Sequence, residues 1–340
     1  MTQQPRFDHG GWRPDADRFI RILDDPFYRL LIGLQDLATR VTTRFWTERG
    51  SKCMHLPITT DSVSSPMGLG SDSVPVSVEM FDRKTYLADS MQFMLEYGCR
   101  FNEDGVWYLM PSFRGEDADA THLNQFFHSE AEISGGLDDV MRTSEEYLRE
   151  LARAVLTEYA DELALVAGSV RHVEKMATSD AFERMTFSEA AARLSDDADA
   201  VRTLGEGIRT LTRHGELRLL KEVGPFVWVT HYDHLSVPFY QAYEDDSMRS
   251  ARNADLLFGP GEIVGCGERH TDGKALVGAL NHHDVPVESY DWYVRMKTEA
   301  PLLTSGFGMG MERWLMWLLD QYDIRELQLV PRLNGVSLRP

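Results

Sequence analysis

The sequence predicts an α+β fold, an antiparallel sheet flanked by helices. Three observations lead there. Strand-like segments are separated by helical ones, with the late strands close together, a pattern that suggests an antiparallel sheet. Residues 137–166 carry a long helical pattern that can cover one face of such a sheet. Near the end, three glycines at 306, 308 and 310 alternate with Phe307 and Met309. They run directly into an apolar helix that carries Met311, Trp314, Leu315 and Leu318 at helical spacing.

In chain order, residues 19–50 place Ile20, Leu23, Leu30, Leu31, Leu34 and Leu37 on one face of a helix that Gly50 stops. Residues 59–75 form a loop rich in Ser, Pro and Gly. Residues 76–86 and 105–113 read as strands with a helix at 89–97 between them, and 124–133 as a further strand ahead of the long helix. Residues 170–218 are charged and alanine-rich, with short helical patterns at 188–194 and 197–211. A peripheral helical region is therefore expected at about 167–222. Residues 225–240 and 254–269 are strand-like, and 285–297 begin a helix. The whole of 1–340 is read as one domain.

A chain of 340 residues with 43% hydrophobic and 26% charged residues has the composition of a soluble globular protein. Residues 1–18 lack the apolar core of a signal peptide and no run reaches membrane-spanning length, so a cytoplasmic protein with no membrane partner is expected. Three cysteines, Cys53, Cys99 and Cys266, are too few and too scattered for a disulfide framework. Phosphate backbones are held mainly by Lys and Arg, so a formal net charge of −19 disfavours a broad nucleic-acid surface.

Residues 111–132 read as two strands around a polar loop. Alternation puts Arg114 and Glu116 on one face of the first, and Phe126, His128, Glu130 and Glu132 on one face of the second. Phe127, Ala131 and Ile133 are left to bury the back. An arginine fork bonds two phosphate oxygens, and a phenyl ring stacks on a base; a solvated hairpin is the alternative. Gly259-Pro260-Gly261 is a turn that sets Asp255 and Glu262 on neighbouring segments, where they share a hard divalent cation or are simply solvated. Glu262 and Arg269 are seven apart, on opposite faces under strict alternation, and a bulge at Gly265 or Gly267 would bring them together. The glycine strand leaves its backbone bare for a flat ligand, with Arg313 at the mouth, or else makes a tight strand-to-helix joint. His282 and His283, ahead of Asp284, read as a solvated turn rather than a metal site. His231 and His234 receive no role, and Trp314 and Trp317 are core. Cys266 either fills space or stands as a nucleophile.

These segments, in this order, resemble the catalytic core of the class II aminoacyl-tRNA synthetases, most closely the aspartyl and asparaginyl branch, over residues 30–333. Glu48-Arg-Gly50 followed by Pro57 is similar to the first class motif, Phe113-Arg114-Gly115-Glu116 with His122 and Phe126 to the second, and 306–313 to the third. Residues 324–332 resemble the tail of asparaginyl enzymes. The resemblance implies a class II synthetase-like antiparallel sheet, ATP and Mg2+ as cofactors, and a homodimer through residues 48–57. It implies that Arg114 binds the α-phosphate and the reacting carboxylate, that Glu116 and Phe126 hold adenine, and that Arg313 covers its other face, with His122 near the terminal phosphates and Gly308 and Gly310 beneath. Asp255 and Glu262 would carry the metal. Ser90, Gln92, Glu130 and Arg269 would line the amino-acid pocket.

Departures from the family pattern shift the expected activity. The anticodon-binding barrel that normally precedes this core is not evident, which with the negative charge disfavours tRNA as partner. Thr121 stands where an arginine usually precedes the loop histidine. Ser65 replaces a glutamate that binds the substrate α-amino group, a loss of about 1.5 to 3 kcal/mol for a charged hydrogen bond. Leu95 replaces the lysine of aspartate-specific enzymes, as in asparaginyl ones. The expectation is an AMP-forming ligase that activates an aspartate-like or asparagine-like acid and passes it to a small nucleophile or a carrier, as in the related synthetase-like asparagine synthetases. A truncated synthetase charging tRNA, or a non-catalytic sensor of amino acid or nucleotide, are the alternatives.

Overall fold

The computed structural model describes residues 12–64, 69, 73–80, 82–205 and 207–339. Its centre is an eight-stranded sheet in the order Lys52–Cys53, Val106–Phe113, Gln125–Ser134, Thr304–Gly310, Gly261–Glu268, Asn253–Phe258, Val227–Thr230 and Glu183–Thr186. The six inner strands pair antiparallel, as the sequence predicts; the short strand at each edge pairs parallel.

The two faces have opposite chemistry because side chains alternate along each strand. Trp107, Ala131, Ala254, Leu256, Val264, Phe307 and Met309 point to one face and join a single buried cluster with the covering helices. Two helices dominate that cover. Pro26–Glu48 buries Phe27, Leu31, Leu34, Leu37 and Ala38, and packs on Leu137–Glu158, where the hydroxyls of Thr42 and Tyr147 meet at 2.6 Å. The other face keeps Glu130, Glu132, Asp255, Glu262 and the bare backbone of the glycines, and is where the cavities lie.

Several boundaries differ from expectation for local reasons. The 19–50 helix is two: Arg18–Arg21, then Pro26–Glu48, started by Asp25 accepting from the Phe27 N–H at 2.9 Å with Pro26 in the first turn. Residues 76–86 are a hairpin, Val76–Met80 with Arg83–Leu87, and Asp82 sits in the turn at φ 57°. The 89–97 helix starts later, at Gln92–Gly98. The 137–166 helix breaks at Tyr159 into Leu137–Glu158 and Ala160–Ala167. In 225–240 only Val227–Thr230 is strand, and His231 at φ 57° ends it. Phe127, assigned to burial, is 41% exposed.

The segment at 167–222 is not only helical. Glu183–Thr186 extends the main sheet, and the expected helix at 197–211 is a hairpin, Val201–Gly205 with Ile208–Leu211. Gly205 and Gly207 both take positive φ at its turn, the kind of backbone glycine permits and a helix cannot use.

Candidate functional site

The hairpin of Val106–Phe113 and Gln125–Ser134 delivers Arg114 and Phe126 to one place: the Arg114 guanidinium carbon lies 5.3 Å from the centre of the Phe126 ring. Gly308 and Gly310, on the neighbouring strand, floor the same cavity, and Arg313 stands in the first turn of helix Met311–Leu318 at its edge. Glu116 and His122 also line it. Arg313 is held by donating from Nη1 to the carbonyl of Glu262 at 3.1 Å. A side chain at Gly308 would reach 3.2 Å from Glu130 Oε1, so the absence of one keeps the floor open.

Arg114 also lines a second chamber, which contains Ser90, Gln92, Leu95, Glu130 and Arg269. At its base Arg269 Nη2 pairs with Glu132 Oε2 at 3.1 Å, and Nη1 donates to Gln241 Oε1 at 3.2 Å. Burial pushes the Glu132 carboxyl upward, and Glu96 adds to this against the pull of Arg269. Glu130 accepts from Ser90 at 2.6 Å and from the Tyr108 hydroxyl, with His128 Nδ1 at 3.0 Å. Burial alone would raise the Glu130 carboxyl, yet His128 and these hydrogen bonds hold it below its ordinary range. Two buried donors facing the chamber, Arg114 Nε and Gln92 Nε2, have no hydrogen-bond partner among the described residues. Unpaired buried donors are costly, and a bound polar ligand would satisfy both.

Asp255 and Glu262, the carboxylates expected to hold a metal, lie close together, with a third acidic residue beside them. The bulge that brings Glu262 onto the site face is at Ile263, not at Gly265 or Gly267: Leu256 pairs with Val264, but Leu257 pairs with Glu262. After that extra residue Glu262, Gly265, Gly267 and Arg269 share a face. A side chain at Gly265 would come within 3.2 Å of Glu262 Oε1 and 3.6 Å of Asp255 Oδ1. The residue that sequence reasoning missed is Glu216, on helix Arg213–Glu222, which accepts from the Glu262 N–H at 3.1 Å and lines a cavity with Asp255, Glu262 and Arg313. It lies inside the segment read as peripheral, where no local motif marks it. Burial, then repulsion from Glu262 and Glu216, drives the Asp255 carboxyl well above its usual range, and burial and Glu262 raise Glu216 to about 7. Three clustered carboxyl groups, in which Glu262 raises both Asp255 and Glu216, fit a divalent cation such as Mg2+, whose charge would relieve the repulsion.

Three further expectations resolve differently. Ser65 lies outside the described residues. Cys266 is buried in the core cluster, and burial raises its thiol far from the thiolate state, so the space-filling reading stands. His282 and His283 are not a solvated turn: His282 ends helix Gly273–His282, and both rings pack against buried His234.

The comparison with known proteins agrees with this geometry. The family model described as tRNA synthetases class II (D, K and N) matches residues 9–334. An asparagine–tRNA ligase of Bacillus cereus is 29% identical over 329 residues, covering 89% of this chain and 70% of the relative. The asparaginyl-tRNA synthetase of Pyrococcus horikoshii, solved with asparaginyl-adenylate, superposes with a TM-score of 0.86 at 23% identity over 95% of this chain and 73% of that one. The Entamoeba histolytica asparaginyl-tRNA synthetase, also with asparaginyl-adenylate, gives 0.82 at 22% identity over 95% and 71%. A sheet with glycines for its floor, arginines at its rim and a trio of carboxylates beside them thus sits on a fold and a sequence that agree, and the chain belongs to the class II tRNA synthetases of the D, K and N group.

Proposed function

We propose that the protein activates asparagine with ATP, forming asparaginyl-adenylate and pyrophosphate, and transfers the asparaginyl group to tRNA. The observation that carries the first step is the position of Arg114, which lines both the glycine-floored chamber and the one that holds Arg269. A nucleotide in the first and an amino acid in the second would meet at its guanidinium. There an amino-acid carboxylate oxygen attacks the α-phosphorus, and the bond from that phosphorus to the bridging oxygen of pyrophosphate breaks. Little proton transfer is needed, so positioning and cationic stabilisation by Arg114 and Arg313 are the catalytic means. Asp255, Glu262 and Glu216 would hold Mg2+, which neutralises phosphate charge when bound.

Asparagine is favoured over aspartate because the side-chain end of the pocket has one cation among the described residues. Arg269 is already paired with Glu132, and Leu95 is apolar and buried where a lysine would serve a carboxylate. The Glu132 carboxylate can take an amide N–H while Arg269 gives to the amide oxygen.

For the acceptor, the resemblance to asparagine–tRNA ligases supports tRNA more than a small nucleophile. The net charge of −19 supports the second reading, transfer to a small nucleophile or carrier. Residues 48–57, with Lys52 and Cys53 exposed on the sheet edge, are the proposed homodimer contact. Transfer of labelled asparagine to unfractionated tRNA tests the acceptor. Labelled tRNA is the expected result, whereas pyrophosphate release without any labelled tRNA would redirect the reading to the small nucleophile.

A further inference from the structure

Behind the wall of the amino-acid chamber, three histidines from two distant segments face one another. His234 begins the short 3-10 turn His234–Ser236, His282 is the last residue of helix Gly273–His282, and His283 follows it. One ring nitrogen from each lies within 4.8 Å of the other two. His234 Nδ1 and His283 Nε2 are 2.8 Å apart. His234 Nε2 lies 2.8 Å from the carbonyl oxygen of Gln241. A carbonyl only accepts, so Nε2 carries the proton and Nδ1 presents a lone pair to the cluster.

We propose that His234, His282 and His283 form a binding site for a divalent transition-metal ion of the zinc class. The donor set argues for that class: imidazoles without a carboxylate suit Zn2+, Co2+, Ni2+ or Cu2+ and discriminate against Mg2+ and Ca2+. The arrangement around His234 is the one a ligating imidazole adopts, with one nitrogen toward the metal and the other N–H fixed on a backbone carbonyl. Helix Gly273–His282 ends at the cluster, where the negative end of its dipole favours positive charge. Metal–nitrogen bonds of about 2.0–2.1 Å in a tetrahedron set donors about 3.3 Å apart, so the His234 and His283 nitrogens have only to part by about half an ångström. Three protein ligands leave a fourth position for water. The Tyr243 hydroxyl, 2.9 Å from His282 Nδ1, orients that ring from the outside.

Gln241 gives this site a consequence for the chamber in front of it. Its carbonyl takes His234, and its side chain takes the Arg269 guanidinium at 3.2 Å. A metal ion here would pin the segment that walls the amino-acid pocket and so hold Arg269 in place.

The test uses the full chain stripped with EDTA and titrated with ZnCl2 by calorimetry, with Co2+ as a spectroscopic probe. Expected are one equivalent of tightly bound zinc, the visible band of tetrahedral nitrogen-ligated Co2+, a higher thermal midpoint with zinc than with Mg2+, and affinity at least about tenfold weaker in His282→Ala and His283→Ala. Glu262→Gln separates this site from the acidic trio and should bind zinc as the wild type does. No zinc binding by the wild type, no tetrahedral Co2+ band, or zinc binding that Glu262→Gln removes and the histidine variants keep would each overturn the proposal. The wild-type titration and the Co2+ band decide the matter even where a histidine variant fails to fold.

Discussion

Arg269 and Glu132 form an ion pair at 3.1 Å in which the side chains are only 4% and 0% exposed, and the pair sits at the floor of the proposed amino-acid chamber. Two charges so deep are held by each other and by Gln241, and removal of one strands the other in a low-dielectric site. Arg269→Ala should therefore lower stability by about 3–5 kcal/mol and abolish amino-acid activation. Glu132→Gln, which keeps the shape and the acceptor oxygen but leaves the Arg269 charge without its counter-ion, should cost less stability than Arg269→Ala and raise KM for the amino acid. Urea unfolding and steady-state kinetics check both.

Arg114 is the opposite case. Its Nε has no hydrogen-bond partner among the described residues, so the folded state gains little from it. Arg114→Ala should shift stability by no more than about 0.5 kcal/mol yet slow adenylate formation by about 10²–10³-fold, the loss expected for one electrostatic contact to the reacting group. Thermal unfolding beside single-turnover kinetics separates the two effects.

The acidic trio predicts an inverted pH dependence. Glu216 has a folded-state pKa raised to about 7, above its ordinary 4.5, so between these values the native state binds more protons than the unfolded state. Stability from this group is then present below about pH 4.5 and is lost as pH rises through about 7. The loss amounts to about 3 kcal/mol. Glu216→Gln should raise the urea midpoint at about pH 8 and leave it unchanged at about pH 4. Mg2+ should stabilise the wild type at the higher pH and the variant less.

Gly306 and Gly308 should respond differently to alanine. A Cβ at Gly306 would collide with Glu132 Oε2 and sit 2.7 Å from the Ala131 carbonyl, so Gly306→Ala should cost about 1–3 kcal/mol and disturb the Arg269 pair. At Gly308 the nearest atom is Glu130 Oε1 at 3.2 Å, a contact that needs a shift of only a few tenths of an ångström. Gly308→Ala should fold normally and raise KM for ATP, because the methyl projects into the chamber floor. Calorimetric melting and ATP-dependent kinetics read out each.

Much of this site was legible in the sequence because its parts are local patterns. Arg114, Glu116, His122 and Phe126 flank one hairpin; Asp255 and Glu262 flank one turn; Gly306 to Arg313 is one strand running into one helix. What escaped depends on contacts between segments far apart in the chain. The bulge at Ile263 is a register slip that alternation cannot reveal, and it falls on an apolar residue rather than on either glycine. Glu216 is an ordinary helical glutamate until its helix docks beside Glu262, 46 residues later. The histidine cluster joins positions 234 and 283 across 49 residues, so His282 and His283 look solvated when read alone. The hairpin at 201–211 does carry a local signal, paired glycines around its turn, within a stretch whose charges suggest a helix.

The most direct test of the account is asparagine-dependent exchange of labelled pyrophosphate into ATP. It requires an adenylate to form and reverse, and it is indifferent to the final acceptor. The wild type should exchange with asparagine, far less with aspartate, and Arg114→Ala should lose the activity while remaining folded. No exchange with either amino acid, or undiminished exchange in Arg114→Ala, would contradict a site in which that arginine joins nucleotide to acid.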